Sequence, residues 1–372
     1  MSNERISDIE ILRGLAVLGV VIHHSRDNLF TWQATWLDYI ATYFGGWVGV
    51  DLFLAISGFV IARTLLPQLQ ATNDTVSAFR TTLAFWIRRA WRLLPSAWLW
   101  LLIILVASVI FRESGIWSSP RANLEATVAG ILNIANLRFI DTFMHTEYGA
   151  SFVYWSLSLE EQFYLLLPLI ILVSRRFLIP VLLVIALWQL LQERTLAMMA
   201  FRSDGLILGV LLAIWSRHPT YQLAKPTFLS QLPLKGTLPL LIIVSCMLLL
   251  GSDVLKIAPY RMSWIAILSI ILVWVASYNS SLFFPTPIKQ LLLWIGARSY
   301  AIYLIHIPVF FFTREIWIQA NPNQIADNSM IWHYTLTAGV LILLLSEINY
   351  RLIEAPLRKR GASLADNFRK TR

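Results

Sequence analysis

Runs such as "WLWLLIILVASVIF" (residues 98–111) and "FLIPVLLVIALWQLL" (177–191) recur along the whole sequence, and each is too long and too apolar to be one buried face of a soluble element. Lipid offers the backbone no hydrogen-bond partner, so a spanning segment must be a helix that satisfies its own amides, which takes about 20 apolar residues with roughly 17 to 25 tolerated. The pattern therefore predicts an all-α, polytopic membrane fold of about ten transmembrane helices. They fall near residues 9–26, 46–66, 91–111, 154–174, 177–192, 200–216, 237–251, 264–279, 291–313 and 330–350. Composition agrees, because a chain of 372 residues that is 57% hydrophobic and carries 16 Trp holds more apolar surface than one soluble core could cover.

Charge sets the orientation. With the N-terminus inside, most Lys and Arg collect on the cytoplasmic side, including Arg63, Arg80, Arg88, Arg175, Arg176, Arg217 and the group from Arg351 to Arg372. The positive-inside rule then puts both termini in the cytoplasm. The net charge of +9 is spread between apolar runs and not gathered on one face, which argues against a nucleic-acid partner and for the lipid bilayer. Arg13 interrupts the first apolar run and no small-residue cleavage pattern follows, so that run reads as a retained helix and not a signal peptide. A single Cys246 gives no disulfide framework and no cysteine metal site. No His-x-x-x-His pair occurs, and the adjacent His23 and His24 diverge by about 100° on a helix, so no metal is expected. The stretch 123–140, in the longest outer loop, is too polar to span and reads as an interfacial or re-entrant helix.

What remains unexplained is a set of ionisable residues inside the apolar runs: Arg13, Asp51, Glu160, Glu161, Arg202, Asp204 and Arg298. Facing lipid, each would cost about 2.5 to 3.5 kcal/mol, on the order of 20 kcal/mol together, so they must face one another or water. Arg13 and His24 are eleven residues apart, within about 20° of three full helical turns, and so share one face at an axial separation of about 16 Å. Sorted by depth, Arg13, Arg89, Arg92 and Arg298 form an inner arginine cluster. His24, Asp51, Ser57, Glu160, Glu161, Arg202, Asp204 and His306 lie in the outer half, a mainly anionic and imidazole cluster. Ser299, Tyr303 and His306, spaced four and three apart, share a stripe. His306 also precedes Pro308, where it could satisfy a carbonyl at a helix bend.

Each cluster suits a different chemistry. An imidazole titrates near neutrality and serves as a general base for a hydroxyl, while guanidinium forks bind phosphates bidentately. A molecule with phosphates at one end and a reactive carbonyl at the other would fit the whole axis, and acyl-coenzyme A is such a molecule. No nucleotide-binding fingerprint supports this independently.

Five motifs occur in order: Arg-x10-His at Arg13 and His24, "GVDLFLAISGF", Arg-x-x-Arg at Arg89 and Arg92, "WSLSLEEQFYLLLP" and "SYAIYLIHIP". Together, over residues 5–360, they resemble the acyltransferase-3 family of bacterial membrane O-acyltransferases. The resemblance implies an integral-membrane acyltransferase domain over 1–360, with 361–372 left as a basic cytoplasmic tail. It implies a bacterial inner-membrane enzyme that takes an acyl group, usually acetyl, from cytoplasmic acetyl-CoA to hydroxyls of exported carbohydrate or glycolipid. By position it points to His24, Arg13, Arg89, Arg92 and Glu160. Expected roles follow from residues and resemblance together: Arg89, Arg92 and Arg13 on the CoA phosphates, His24 as general base, Glu160 or Asp51 orienting its ring, and Tyr303, Ser57 or His306 donating to the developing oxyanion. Direct transfer and an acyl-histidine intermediate both stay open. The alternatives are a small-molecule acyltransferase, the unrelated membrane-bound O-acyltransferase class, and a secondary transporter, although the internal repeat usual in transporters is not evident. The acceptor and the oligomeric state have no code in these residues.

Overall fold

The computed structural model describes residues 6–370 apart from 33, 34, 144 and 233. Its elements are helices joined by turns, with no strand among the described residues. The first half contains α1 (Ser7–Asn28), α2 (Thr35–Tyr43), α3 (Gly49–Gln70), α4 (Thr75–Ile110), α5 (Pro120–Ile131), α6 (Ala135–Thr142), α7 (Tyr154–Ser174) and α8 (Leu178–Leu190). The second contains α9 (Leu196–Ala200), α10 (Asp204–Trp215), α11 (Thr220–Leu223), α12 (Thr237–Leu250), α13 (Arg261–Ser277), α14 (Ile288–Ala297), α15 (Ser299–Ala320), α16 (Ile331–Asn349) and α17 (Ala355–Lys370).

By length and composition, five helical stretches among the described residues suffice to cross a membrane, against the ten expected: Gly46–Gln70, Thr75–Ile110, Tyr154–Leu190, Ser299–Ala320 and Asn328–Arg369. The difference has three causes. α7 and α8 run on as one stretch, α10, α12 and α13 are too short to qualify, and α1 carries Asp8, Glu10 and Arg13 near its start. The expected interfacial stretch at 123–140 is two short helices, α5 and α6.

Two boundaries also differ. α4 begins at Thr75 and not near 91, because the Asp74 carboxylate accepts from the Ser77 amide at 2.8 Å and the Ser77 side chain faces the Asp74 amide, a capping box. Arg89 and Arg92 thus lie well inside a helix of 36 residues that continues through Pro95. The tail expected from residue 361 is helical to Lys370, the remaining two residues lying outside the described part. α17 packs on α4 through Gly361, where a Cβ would come within 2.2 Å of the Trp91 Cβ, and through the Arg88–Asp366 ion pair. The boundary expected at 360 falls inside this helix.

Small residues let the central helices touch. A Cβ at Gly58 would meet the Leu206 carbonyl oxygen at 2.0 Å and one at Gly209 would meet the Ala55 oxygen at 2.4 Å, so α3 and α10 cross backbone to backbone. In lipid this is how helices gain dispersion contact, since apolar burial by itself favours no partner. α1 is held centrally, with Ile11, Leu12, Val17 and Val20 fully buried, and α15 is buried from Ala301 to Phe311. Those two helices carry the residues that matter most below.

Candidate active site

Arg13 of α1, Phe53 and Ser57 of α3, Arg89 and Arg92 of α4, Ser156, Glu160 and Tyr164 of α7, and Ser299, Tyr300 and Tyr303 of α15 line one cavity with about 750 Å³ of empty space. Arg89 and Arg92 are one turn apart, so both guanidinium groups reach the same side of α4. The Arg89 guanidinium lies over the rings of Phe85 and Tyr164 at 5.7 and 5.8 Å. Both Nε atoms are buried without a hydrogen-bond partner. Arg13 donates from Nε to the Ser299 hydroxyl at 3.2 Å and has Glu10 at 3.7 Å. Glu160 accepts from the Tyr164 hydroxyl. Three cations and one carboxylate therefore line this space, an excess of positive charge.

The depth sorting needs correction at three residues: Ser57 was expected with the outer group yet lines the arginine chamber, Arg298 was expected with the inner arginines yet pairs with Glu347 outside the lining, and Glu160 is the third. Glu160, expected with the outer imidazoles, lines the arginine chamber. Its carboxylate is countered there by three guanidinium groups, whereas among apolar side chains it would have none.

Beyond Tyr303 lies a second group. His24, near the end of α1, and His306 of α15 bond through Nδ1 and Nε2 respectively at 2.9 Å, with ring centroids 5.1 Å apart. His306 is fully buried, and its Nδ1 is 2.8 Å from the Tyr303 carbonyl oxygen. The carbonyl bonded is that of Tyr303 and not, as the sequence suggested, that of Leu304, whose amide partner Pro308 removes. The Tyr303 hydroxyl is shared with Ser156 Oγ at 2.7 Å and the Val153 carbonyl at 3.1 Å. Phe152 meets His24 edge-on at 5.4 Å. Tyr303 borders the chamber with its ring 5.7 Å from that of His306, so it joins the two groups.

The ring partner expected for His24 was Asp51 or Glu160, but the structure supplies an imidazole. Asp51 is buried and pairs with Arg202 at 3.2 Å, and Arg202 in turn lies over Trp47 and Trp155 at 5.6 and 5.2 Å. Arg194 pairs with Asp204 beside them. These four charges tie α3 to α10 and the loop before it. Arg298 pairs with Glu347 between the rings of Trp294 and Tyr350, away from the chamber, and Glu354 pairs with Arg358 at 3.5 Å. Tyr164, Ser156 and Tyr300 escaped the sequence reading, although Tyr164 stands one turn beyond Glu160 and a helical projection would have paired them. Among the described residues no cluster of three His, Cys, Asp or Glu side chains is arranged for a metal.

The sequence profile of a family described as an acyltransferase domain matches residues 6–346. The peptidoglycan O-acetyltransferase OatA of Listeria monocytogenes is 29% identical over 393 residues, covering 97% of this chain and 57% of the relative. The O-acetyltransferase OatA of Staphylococcus aureus is 30% identical over 373 residues, covering 94% and 57%. The putative peptidoglycan O-acetyltransferase YrhL of Bacillus subtilis is 30% identical over 387 residues, covering 96% and 55%. The chain spans little more than half the length of these relatives. No solved structure matches it.

Proposed function

The chain belongs to this acyltransferase family, and from that premise we propose that it is a membrane O-acetyltransferase that moves an acetyl group from cytoplasmic acetyl-CoA to a hydroxyl of an exported carbohydrate, peptidoglycan or a related cell-surface glycan. The observation that carries the proposal is the adjacency of an arginine-lined chamber and a histidine pair across Tyr303. The residues fit the donor. Diphosphate calls for forked cations with free N–H groups, and Arg89 and Arg92 supply unpartnered Nε–H groups, with Arg13, bonded to Ser299 and paired with Glu10, on the same cavity wall. Hydroxyl-bearing Ser57, Ser156 and Ser299 suit the amides of a pantetheine arm threaded toward Tyr303.

In the transfer, His24 removes the proton of the acceptor hydroxyl as its oxygen bonds to the thioester carbonyl carbon. The carbon–sulfur bond then breaks, and the imidazolium returns the proton to the departing thiolate, leaving CoA as the free thiol. Atoms and charge balance without a further reagent. The enzyme works in the cytoplasmic membrane, both termini inside, the donor entering from the arginine side and the glycan from the histidine side.

The deciding experiment follows free CoA from purified protein and acetyl-CoA, with glycan fragments as acceptors, for the native chain and His24→Ala. Acceptor-dependent CoA release by the native chain alone supports the proposal. No release with any glycan, or undiminished release by well-folded His24→Ala, refutes it. Release stimulated only by a small metabolite points to the small-molecule alternative.

A further inference from the structure

His306 takes no part in the transfer itself, and its two bonds decide which nitrogen of His24 can act. A carbonyl oxygen only accepts, so the Tyr303 oxygen at 2.8 Å requires the proton of the His306 ring to sit on Nδ1. A neutral ring with its proton there has a lone pair on Nε2, and that atom is 2.9 Å from His24 Nδ1. His24 Nδ1 must therefore be the donor, and His24 Nε2 is left with its lone pair outward. No other residue among those described bonds to that Nε2. The opposite order would need a second proton on His306, a charge at a site of 0% exposure with no carboxylate bonded to it.

We infer that His306 is a positioning residue that, through the hydrogen-bonded chain from the Tyr303 carbonyl to His306 and on to His24, holds His24 in the tautomer whose Nε2 is the base. The inference rests on the acetyltransferase reading above and goes beyond it. It assigns to an imidazole the place that a carboxylate holds where a histidine base is oriented by an acid. It also removes His306 from the oxyanion donors expected from sequence, because both of its nitrogens are engaged. When His24 becomes imidazolium, the neutral His306 Nε2 still accepts from its Nδ1, so the charge of the intermediate is shared and no buried anion is needed.

The test joins a spectroscopic readout to kinetics on the full-length protein in detergent. In 15N-histidine-labelled protein, with His24 assigned by its loss in His24→Gln, the native His24 resonances should be those of a ring protonated at Nδ1 and bare at Nε2. His306→Leu, with no acceptor, should mix the two His24 tautomers and lower kcat at least 100-fold, with KM for acetyl-CoA within about threefold. His306→Gln, whose amide oxygen can accept, should recover at least tenfold of that loss. A native His24 protonated at Nε2, or a His306→Leu kcat within threefold of native, overturns the inference. Either result would leave the transferase reading standing, since that depends on CoA release and on His24. Because the tautomer is read on the native protein, a His306 variant that fails to fold does not remove the test.

Discussion

Arg92→Gln should weaken CoA binding without weakening the binding of CoA's uncharged arm. Arg92 contributes its guanidinium to a chamber in which Glu160 is the one lining carboxylate among the described residues, and its Nε is buried with no partner among them. A hydrogen bond to a charged group contributes about 1.5–3 kcal/mol net, so losing the fork should raise the dissociation constant for CoA about 10- to 150-fold. Glutamine keeps much of the side-chain volume, which limits any collapse of the chamber. Arg92→Lys keeps the charge but not the fork and should fall between the two.

The assay is titration calorimetry of the native protein and both variants with CoA and with pantetheine. Pantetheine lacks the phosphates, so its affinity should move by less than about twofold. The CoA-to-pantetheine ratio is the decisive quantity, because a general loss of fold would lower both affinities together. Equal losses for the two ligands, or an unchanged affinity for CoA, would refute the assignment of this cavity to the phosphates. Rising salt should narrow the gap between native protein and Arg92→Gln, since part of the attraction is screened.

Other perturbations address the scaffold. Gly58→Val should leave no monodisperse protein by fluorescence-detected size exclusion, because even a Cβ would lie 2.0 Å from the Leu206 oxygen, whereas Gly339→Ala, with nothing within 4 Å, should be as stable as native or more so. Arg202→Met should lower resistance to denaturant by about 3–5 kcal/mol by stranding the Asp51 carboxylate, and Asp51→Asn in the same chain should restore part of it. A double variant no more stable than Arg202→Met would show that Arg202 acts through its stacking on Trp47 and Trp155 and not through its charge partner.

The parts of the site that could be read from sequence are those in which two residues share one helix. Arg13 and His24 lie on one face of α1, and Arg89 with Arg92 lies on one side of α4, because helical periodicity is fixed by backbone geometry. Pairings between helices were not legible. His24 with His306, Ser156 with Tyr303 and Asp51 with Arg202 join residues 282, 147 and 151 positions apart, and nothing local in "IHHS" or "LIHIP" announces such a partner. A carboxylate was the natural guess for His24, since two acidic motifs stood at similar depth, yet both carboxylates are taken up by guanidinium neighbourhoods. The start of α4 was legible in principle: "DTVS" is a capping sequence with Ser in place of the usual Glu or Gln, obscured by the arginines that follow. Residues 361–372 were read as a basic tail, and 361–370 form the latter part of α17. Its contact stripe consists of Gly361 and Ala365, and small residues leave little hydropathy signal.

Separating the charges this way has a chemical consequence. Ions bound for a phosphate chain must stay ionised, and Glu160 offsets part of the burial of Arg13, Arg89 and Arg92 while those three cations repel one another and so favour an incoming anion. A base acting at membrane depth has the opposite requirement: it must be neutral before transfer, charged only during it, and neutral again afterwards. A carboxylate bonded to His24 would favour the imidazolium throughout and would need a counter-ion of its own in low dielectric. The chain from the Tyr303 carbonyl through His306 to His24 meets the requirement with neutral groups alone. Tyr303 stands between the two regimes, its hydroxyl fixed by Ser156 and Val153 and its own backbone carbonyl bonded to His306, so under the proposed roles the wall of the donor chamber and the anchor of the base are one residue.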